Sequence, residues 1–276
     1  MSSASPAMDP VLRRRQSRER ATDWTLFVVG FGLIAWLIYV GATSMGYNWQ
    51  WYRVPRYFYR IIDGELIWGT LVRGLLVTLE ITAWSMVIAL VVGLVTALLR
   101  LSRSWSGHLL SSVYLELIRN TPLLVQMYLF YFVLSPILGI DRFWTGVLCL
   151  AFFEAVFISE IIRGGILSVH KGQWEGASSL GLRSWKVYAL VVLPQAVPIM
   201  LPPLTSAVVN LIKNSAIVST IAIFDLTNEG RNAIADTFMS FEIWFTVAAV
   251  YLVMTISLSA FAAWLEARVQ KRLARA

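Results

Sequence analysis

Residues 172–194 read "GQWEGASSLGLRSWKVYALVVLP". The first half is polar and punctuated by Gly172, Gly176 and Gly181, and the second half turns apolar and ends at Pro194. The chain as a whole is 58% hydrophobic and only 14% charged, so a polar stretch of this kind stands out. Most helix–helix connections are about 2–8 residues, and longer ones tend to serve a function. How residues 172–194 are read depends on what flanks them.

Both flanks are membrane-like. Soluble domains carry about 45–50% apolar and about 25% charged residues, whereas a spanning helix needs roughly 20 mostly apolar residues. Six apolar segments meet that requirement: Trp24–Thr43, Gly69–Leu99, Thr121–Leu138, Phe143–Ser168, Val187–Phe224 and Phe241–Trp264. They predict an all-α polytopic membrane protein with about six transmembrane helices. The expected organisation is a basic tail over 1–23, then a transmembrane helix with an aromatic segment over 24–66. The main transmembrane domain follows over 67–268, and a second basic tail over 269–276. The first apolar run has no small-residue cleavage site and reads as a retained anchor. The fifth holds Pro194, Pro198, Pro202 and Pro203. Prolines remove backbone donors, so a broken, hairpin-like passage beside something polar is expected there.

The net charge of +7 does not describe a nucleic-acid face. The basic residues lie in "RRRQSRER" (13–20), in "EARVQKRLARA" (266–276) and in short loops. With the N-terminus inside, the cytoplasmic segments hold 14 Lys and Arg and the outer ones 5. Basic residues accumulate in cytoplasmic loops, so both termini and residues 172–186 are expected in the cytoplasm. The outer segment "SMGYNWQWYRVPRYFYRIIDGE" (44–65) reads as an aromatic belt at the headgroup level. "LSRSWSGHLLSSVYLELIR" (101–119) reads as a helix partly in the interface, with the chain restarting at Thr121-Pro122. Cys149 is the only cysteine, and no His/Cys cluster suggests a metal.

Gln173–Leu180 can form two helical turns, ended by Gly181 at positive φ, after which a second helix re-enters the membrane. Helical spacing puts Glu175, Ser178 or Ser179, and Leu182 on one short face. Gly176 and Ala177 are small enough to let another backbone approach. Such a surface suits a partner's groove better than it suits a core, although an ordinary Gly/Ser loop is the plainer alternative. A phosphate-cradling loop needs G-x-x-x-x-G-K-[ST], and the dipeptide Gly-Lys occurs nowhere in the chain.

The spacing Glu175-Gly176-Ala177, three residues, Gly181, nine residues, Val191, one residue, Leu193-Pro194 resembles the EAA signature of ABC-importer permease subunits. It departs from that pattern at Gly176, usually Ala, and at Val191, usually Ile. "RNTPLLVQMYLFYF" (119–132), "SEIIRGGILSVHKGQWE" (159–175), "VLPQAVPIMLPPLTS" (192–206) and "NLIKNSAIVSTIAIFDL" (210–226) resemble the polar amino acid branch of that family. The resemblance covers roughly residues 68–268. It implies a five-helix importer core preceded by an extra N-terminal helix, a multi-pass protein of the bacterial inner membrane. It implies a second permease subunit, a cytoplasmic ABC ATPase dimer that binds ATP and Mg, and a periplasmic amino-acid-binding protein. This chain itself would be non-catalytic and bind no cofactor. Glu175, Gly176, Ala177, Ser178, Gly181 and Leu182 would couple it to the ATPase, and the substrate would be a polar amino acid. A permease for another small, osmolyte-like solute is the neighbouring alternative. A secondary transporter fits less well, because no second broken segment repeats the fifth.

Ionisable residues at membrane depth mark pathways or paired charges. Glu154 admits two readings, a place on the substrate pathway or an internal pair with Lys213 or Asn214. Asn210, Lys213, Asn214 and Ser215 share the same choice between the pathway and contacts between helices. Glu160 and Arg163, three apart, can pair along one face; with Arg119 they suggest gating or structural roles. Gly164-Gly165 is either a hinge or a close-packing site, and Glu80 is a further candidate for a buried partner.

Overall fold

The computed structural model describes residues 10–273. The chain divides into two units after Trp49. The first is built on α1 (Pro10–Ser44), of which Thr22–Ser44 is long and apolar enough to cross a membrane. Helix therefore begins inside the expected N-terminal tail; residues 1–9 of that tail and 274–276 of the C-terminal one lie outside the described residues.

The second unit begins at Gln50, so most of the aromatic segment belongs to the main body and not to the N-terminal helix. Val54 and Tyr57, in a 3₁₀ turn over Trp51–Tyr57, are buried with Leu71, Leu226 and Ile243. The Gln50 N–H donates to Glu242 Oε1 at 2.6 Å. A short hairpin follows, β1 (Tyr59–Ile62) against β2 (Glu65–Trp68), antiparallel. Asp63 and Gly64 turn it at positive φ, the Asp-Gly pairing that two-residue hairpin loops favour.

The rest is helical. In chain order it comprises α2 (Thr70–Leu101), α3 (Trp105–Arg119), and α4 (Leu123–Leu129) continued through a π turn into α5 (Ser135–Leu138). Then come α6 (Arg142–Leu167), α7 (Lys171–Ser179), and α8 (Ser184–Val187) continued through a second π turn into α9 (Leu193–Ser215). A 3₁₀ turn (Ala216–Ile221), α10 (Leu226–Thr237) and α11 (Ser240–Leu273) complete it. Five passages among the described residues are long and apolar enough to span a membrane, and α3 with α4–α5 makes a sixth if the bent pair counts as one. That pair meets at 108°. Gln126 secures the corner, its amide donating to Ile118 O at 2.8 Å and Thr121 O at 3.0 Å.

The centre of the body is α2 against α6. Ser85, Ala89, Gly93 and Ala97 recur every fourth residue of α2 and are all buried. They face Ala151, Ala155 and Ile158 of α6. Small residues let membrane helices approach closely, and a Cβ on Gly93 would sit 2.7 Å from an Ile158 methyl. Ser85 adds a bond across the pair, donating to Val147 O at 3.0 Å.

The fifth apolar passage is not the hairpin expected from its prolines. Ser184–Ile221 forms a single span. Pro194 sits in the first turn of α9, just after the π turn, and Pro198 and Pro202 follow at four-residue steps along one side. Pro203, next to Pro202, loses a further donor about a quarter-turn round the helix. Gln195 donates to Val191 O at 2.7 Å and Ser206 to Pro202 O at 3.2 Å. The π turn before Pro194 is a local adjustment of the kind through which membrane helices tolerate proline.

Candidate functional site

Helix α7 carries the polar, glycine-punctuated stretch at residues 172–179. His170 caps it, with Nδ1 accepting the Gly172 N–H at 3.1 Å. It ends at Gly181, φ 71°, where the Gly181 N–H reaches Ser178 O at 3.0 Å and the Leu182 N–H reaches Ala177 O at 3.4 Å. This double bond pattern closes a helix on a left-handed glycine. Inward, Ala177 is buried and Trp174 packs edge-on against Tyr188 with ring centroids 5.1 Å apart. Outward lie Glu175, in an exposed pair with Lys171 at 3.2 Å, and Gly176, with nothing within 4 Å of a Cβ. Ser178 and Ser179 are exposed, their hydroxyls bonded to Trp174 O and Glu175 O.

Two residues differ from the face expected. Ala177 and Leu182 both turn towards the core, because Trp174, Leu182 and Tyr188 fill one cluster beneath the helix. The apolar groups displayed are instead Leu180, 81% exposed, and Trp185, 64% exposed. Neither was singled out from the sequence, where they read as ordinary members of the apolar pattern.

The residues expected on a substrate path separate into two groups. Asn210 and Lys213 are exposed and line an open groove of about 410 Å³ between α9 and α11, with Thr205, Ser206 and Glu266. Thr205 Oγ1 donates to Glu266 Oε1 at 2.7 Å. Glu266 went unnoticed because it adjoins the charged C-terminal run. Asn214 is half-buried just beyond the groove. Glu154 and Ser215 lie in the helix packing, 2% and 0% exposed. Ser215 bonds to Ile212 O of its own helix; among the described residues no hydrogen bond or ion pair joins Glu154 to Lys213 or Asn214. Glu80, expected to be buried, is exposed on α2.

Arg119, Glu160 and Arg163 do come together, with a fourth member. The Glu160 carboxylate accepts from Arg163 at 2.9 Å, pairs with Arg119 Nη2 at 3.0 Å and also accepts from Arg100 Nη1. One carboxylate thus joins the ends of α2 and α3 to α6. Next to it, α6 runs unbroken through Gly164-Gly165; Gly164 faces open space, while a Cβ on Gly165 would meet Met200 at 2.3 Å.

At the opposite end of the body, fully buried Asp225 caps α10, accepting N–H bonds from Asn228 at 3.0 Å and Thr227 at 3.2 Å. Tyr251 donates to it at 3.4 Å. Burial pushes the Asp225 carboxyl up to about 6, against the lowering effect of those bonds. Burial also raises Glu229, opposed by the charge of Arg73 and reinforced by that of Asp225.

The body is a set of membrane-length helices with a short, capped polar helix, α7, between two of them. Residues 89–271 match the family "Binding-protein-dependent transport system inner membrane component", and the chain belongs to it. The glutamine transport system permease protein of Escherichia coli K12 is 36% identical over 214 residues, covering 75% of this chain and 98% of that protein. A probable glutamine ABC transporter permease of Bacillus subtilis 168 is 38% identical over 182 residues, 66% of this chain and 84% of that one. A crystal structure of an amino acid ABC transporter with histidines superposes with a TM-score of 0.67 at 37% identity, covering 72% of this chain and 94% of its counterpart. The chain is an inner-membrane permease component.

Proposed function

We propose that this chain is the permease subunit of an ABC importer carrying a polar amino acid into the cytoplasm, with α7 as the segment that docks on a separate ATPase dimer. The observation that carries this reading is α7 itself. It is anchored from beneath by Trp174 and Ala177 and closed at Gly181, and it presents Glu175, Gly176, Ser178, Ser179 and Leu180 outward. A rigid, small-residue surface with one exposed leucine suits insertion into a partner's groove. ATP and Mg would be bound by that partner. A second permease subunit would complete the passage, and a periplasmic binding protein would deliver the substrate. Both termini would be cytoplasmic, following the Lys and Arg bias.

The groove between α9 and α11 supports an amino acid substrate. Lys213 suits a carboxylate, Glu266 an ammonium group, and Asn210 and Ser206 supply neutral hydrogen bonds. The names of the relatives make glutamine the first substrate to test.

Gly176→Trp projects into open space, so it should leave insertion and folding unchanged while abolishing co-purification of the ATPase subunit. Glu175→Lys should weaken co-purification without removing it. Normal ATPase retention and uptake by Gly176→Trp would rule out docking through α7. For the substrate, Lys213→Ala should raise the KM for amino acid uptake in reconstituted complexes about tenfold, with the ATPase still bound.

A further inference from the structure

We propose that the Arg100–Arg119–Arg163 cluster, together with the apolar groove beside it, is a binding site for an anionic phospholipid of the inner leaflet. The site is separate from the groove assigned to substrate, and its placement in the inner leaflet rests on the orientation proposed above.

Two independent features meet there. The first is charge. Three guanidinium groups share the single Glu160 carboxylate, leaving a formal surplus of two positive charges. The cluster is open to its surroundings, with Arg119 39% and Arg163 32% exposed. Arg100 Nε is buried without a hydrogen-bond partner. A phosphate seated on Arg119 and Arg163 would balance the surplus with charge-assisted bonds, for which the planar guanidinium is well shaped.

The second is an apolar groove of about 330 Å³ between α3, α4–α5 and α6. Ile118, the residue before Arg119, lines it, as do Tyr114, Leu134, Leu148 and Phe152. Thr145, Leu148 and Phe152 lie on one face of α6 and span about 10 Å of rise, with Glu160 about 12 Å further along the same helix. The Tyr114 hydroxyl is turned away to Phe152 O at 2.5 Å, so the tyrosine presents its ring to the groove. A headgroup at the arginines therefore lays an acyl chain towards Phe152, about halfway along α6, where the slot opens and continues towards Thr145. Basic pockets between helices on the cytoplasmic side suit anionic headgroups, and the slot distinguishes a lipid from a free anion.

The test is native mass spectrometry of the full-length chain, delipidated in detergent and titrated with dioleoyl phosphatidylglycerol, dioleoyl phosphatidylcholine or inorganic phosphate. The expected result is about tenfold tighter binding of phosphatidylglycerol than phosphatidylcholine. Arg119→Gln and Arg163→Gln should each lower that preference about fivefold, while Arg119→Lys keeps most of it. Leu134→Trp, which fills the slot at an exposed position, should weaken phosphatidylglycerol binding several-fold. Equal binding of the two lipids by the unsubstituted chain would overturn the proposal whatever the variants do. So would full displacement of phosphatidylglycerol by inorganic phosphate with Leu134→Trp unchanged, since the ligand would then be a free anion.

Discussion

Glu160 joins three arginines from three helices, and only one of those partnerships is local in sequence. Arg163 is three residues away; Arg100 is sixty residues away and reaches Glu160 only because α2 packs on α6. Glu160→Gln keeps the side chain's shape but removes the charge that balances the cluster. It should cost about 1–2 kcal/mol, charge-assisted bonds being discounted for their partial exposure. The loss should be non-additive with Arg100→Gln, read as Tm in a double-mutant cycle. Asp225 makes a separate prediction. Its carboxyl stays protonated in the folded chain up to about 6, whereas its ordinary value is 3.8. Its contribution is therefore fully present below about 3.8 and is lost as pH rises through about 6. Asp225→Asn keeps the helix cap and removes that titration. The Tm of the unsubstituted chain should fall relative to Asp225→Asn between pH 4 and 6, and a constant difference would refute the assignment. Glu154 is buried, and among the described residues no hydrogen bond or ion pair joins it to Lys213 or Asn214.

Among the elements, the close pairing of α2 and α6 depends on the ladder Ser85, Ala89, Gly93, Ala97. Gly93→Leu drives a side chain into Ile158 and should destabilise the body by about 1–3 kcal/mol, the usual cost of overpacking. Gly164→Leu, pointing into open space, is the control and should cost much less by the same thermal assay. The spans were legible because a long apolar run needs no tertiary information to be recognised. The end of α7 was legible too, since Gly181 is a local signal. The hairpin over residues 59–68 is signalled in the sequence only by its Asp-Gly turn, because the aromatic composition of the segment points to an interfacial belt. The prolines of α9 misled for a physical reason. Preceded by a π turn, with the first three spaced by four, they lose donors without breaking the helix.

For the whole molecule, the decisive prediction is sidedness. Cys149 is buried, so single introduced cysteines report alone. A membrane-impermeant maleimide should label Ser179→Cys in inverted vesicles but not in intact spheroplasts, and Phe238→Cys, at a residue 82% exposed, should do the reverse. Labelling of both from the same side would overturn the proposed topology. Composition and spacing establish that the chain is a helical membrane protein, where its apolar passages lie, and that residues 172–194 carry a family signature. Each of these is written in composition or in spacing along one strand of chain. Which polar side chains far apart in sequence meet follows only from the packing of the helices. A membrane helix that is apolar almost all round gives little sign of its rotation, and rotation is what brings Arg100 and Arg119 to Glu160. The same rotation turns Lys213 and Asn210 out towards Glu266, and buries Glu154 and Ala177.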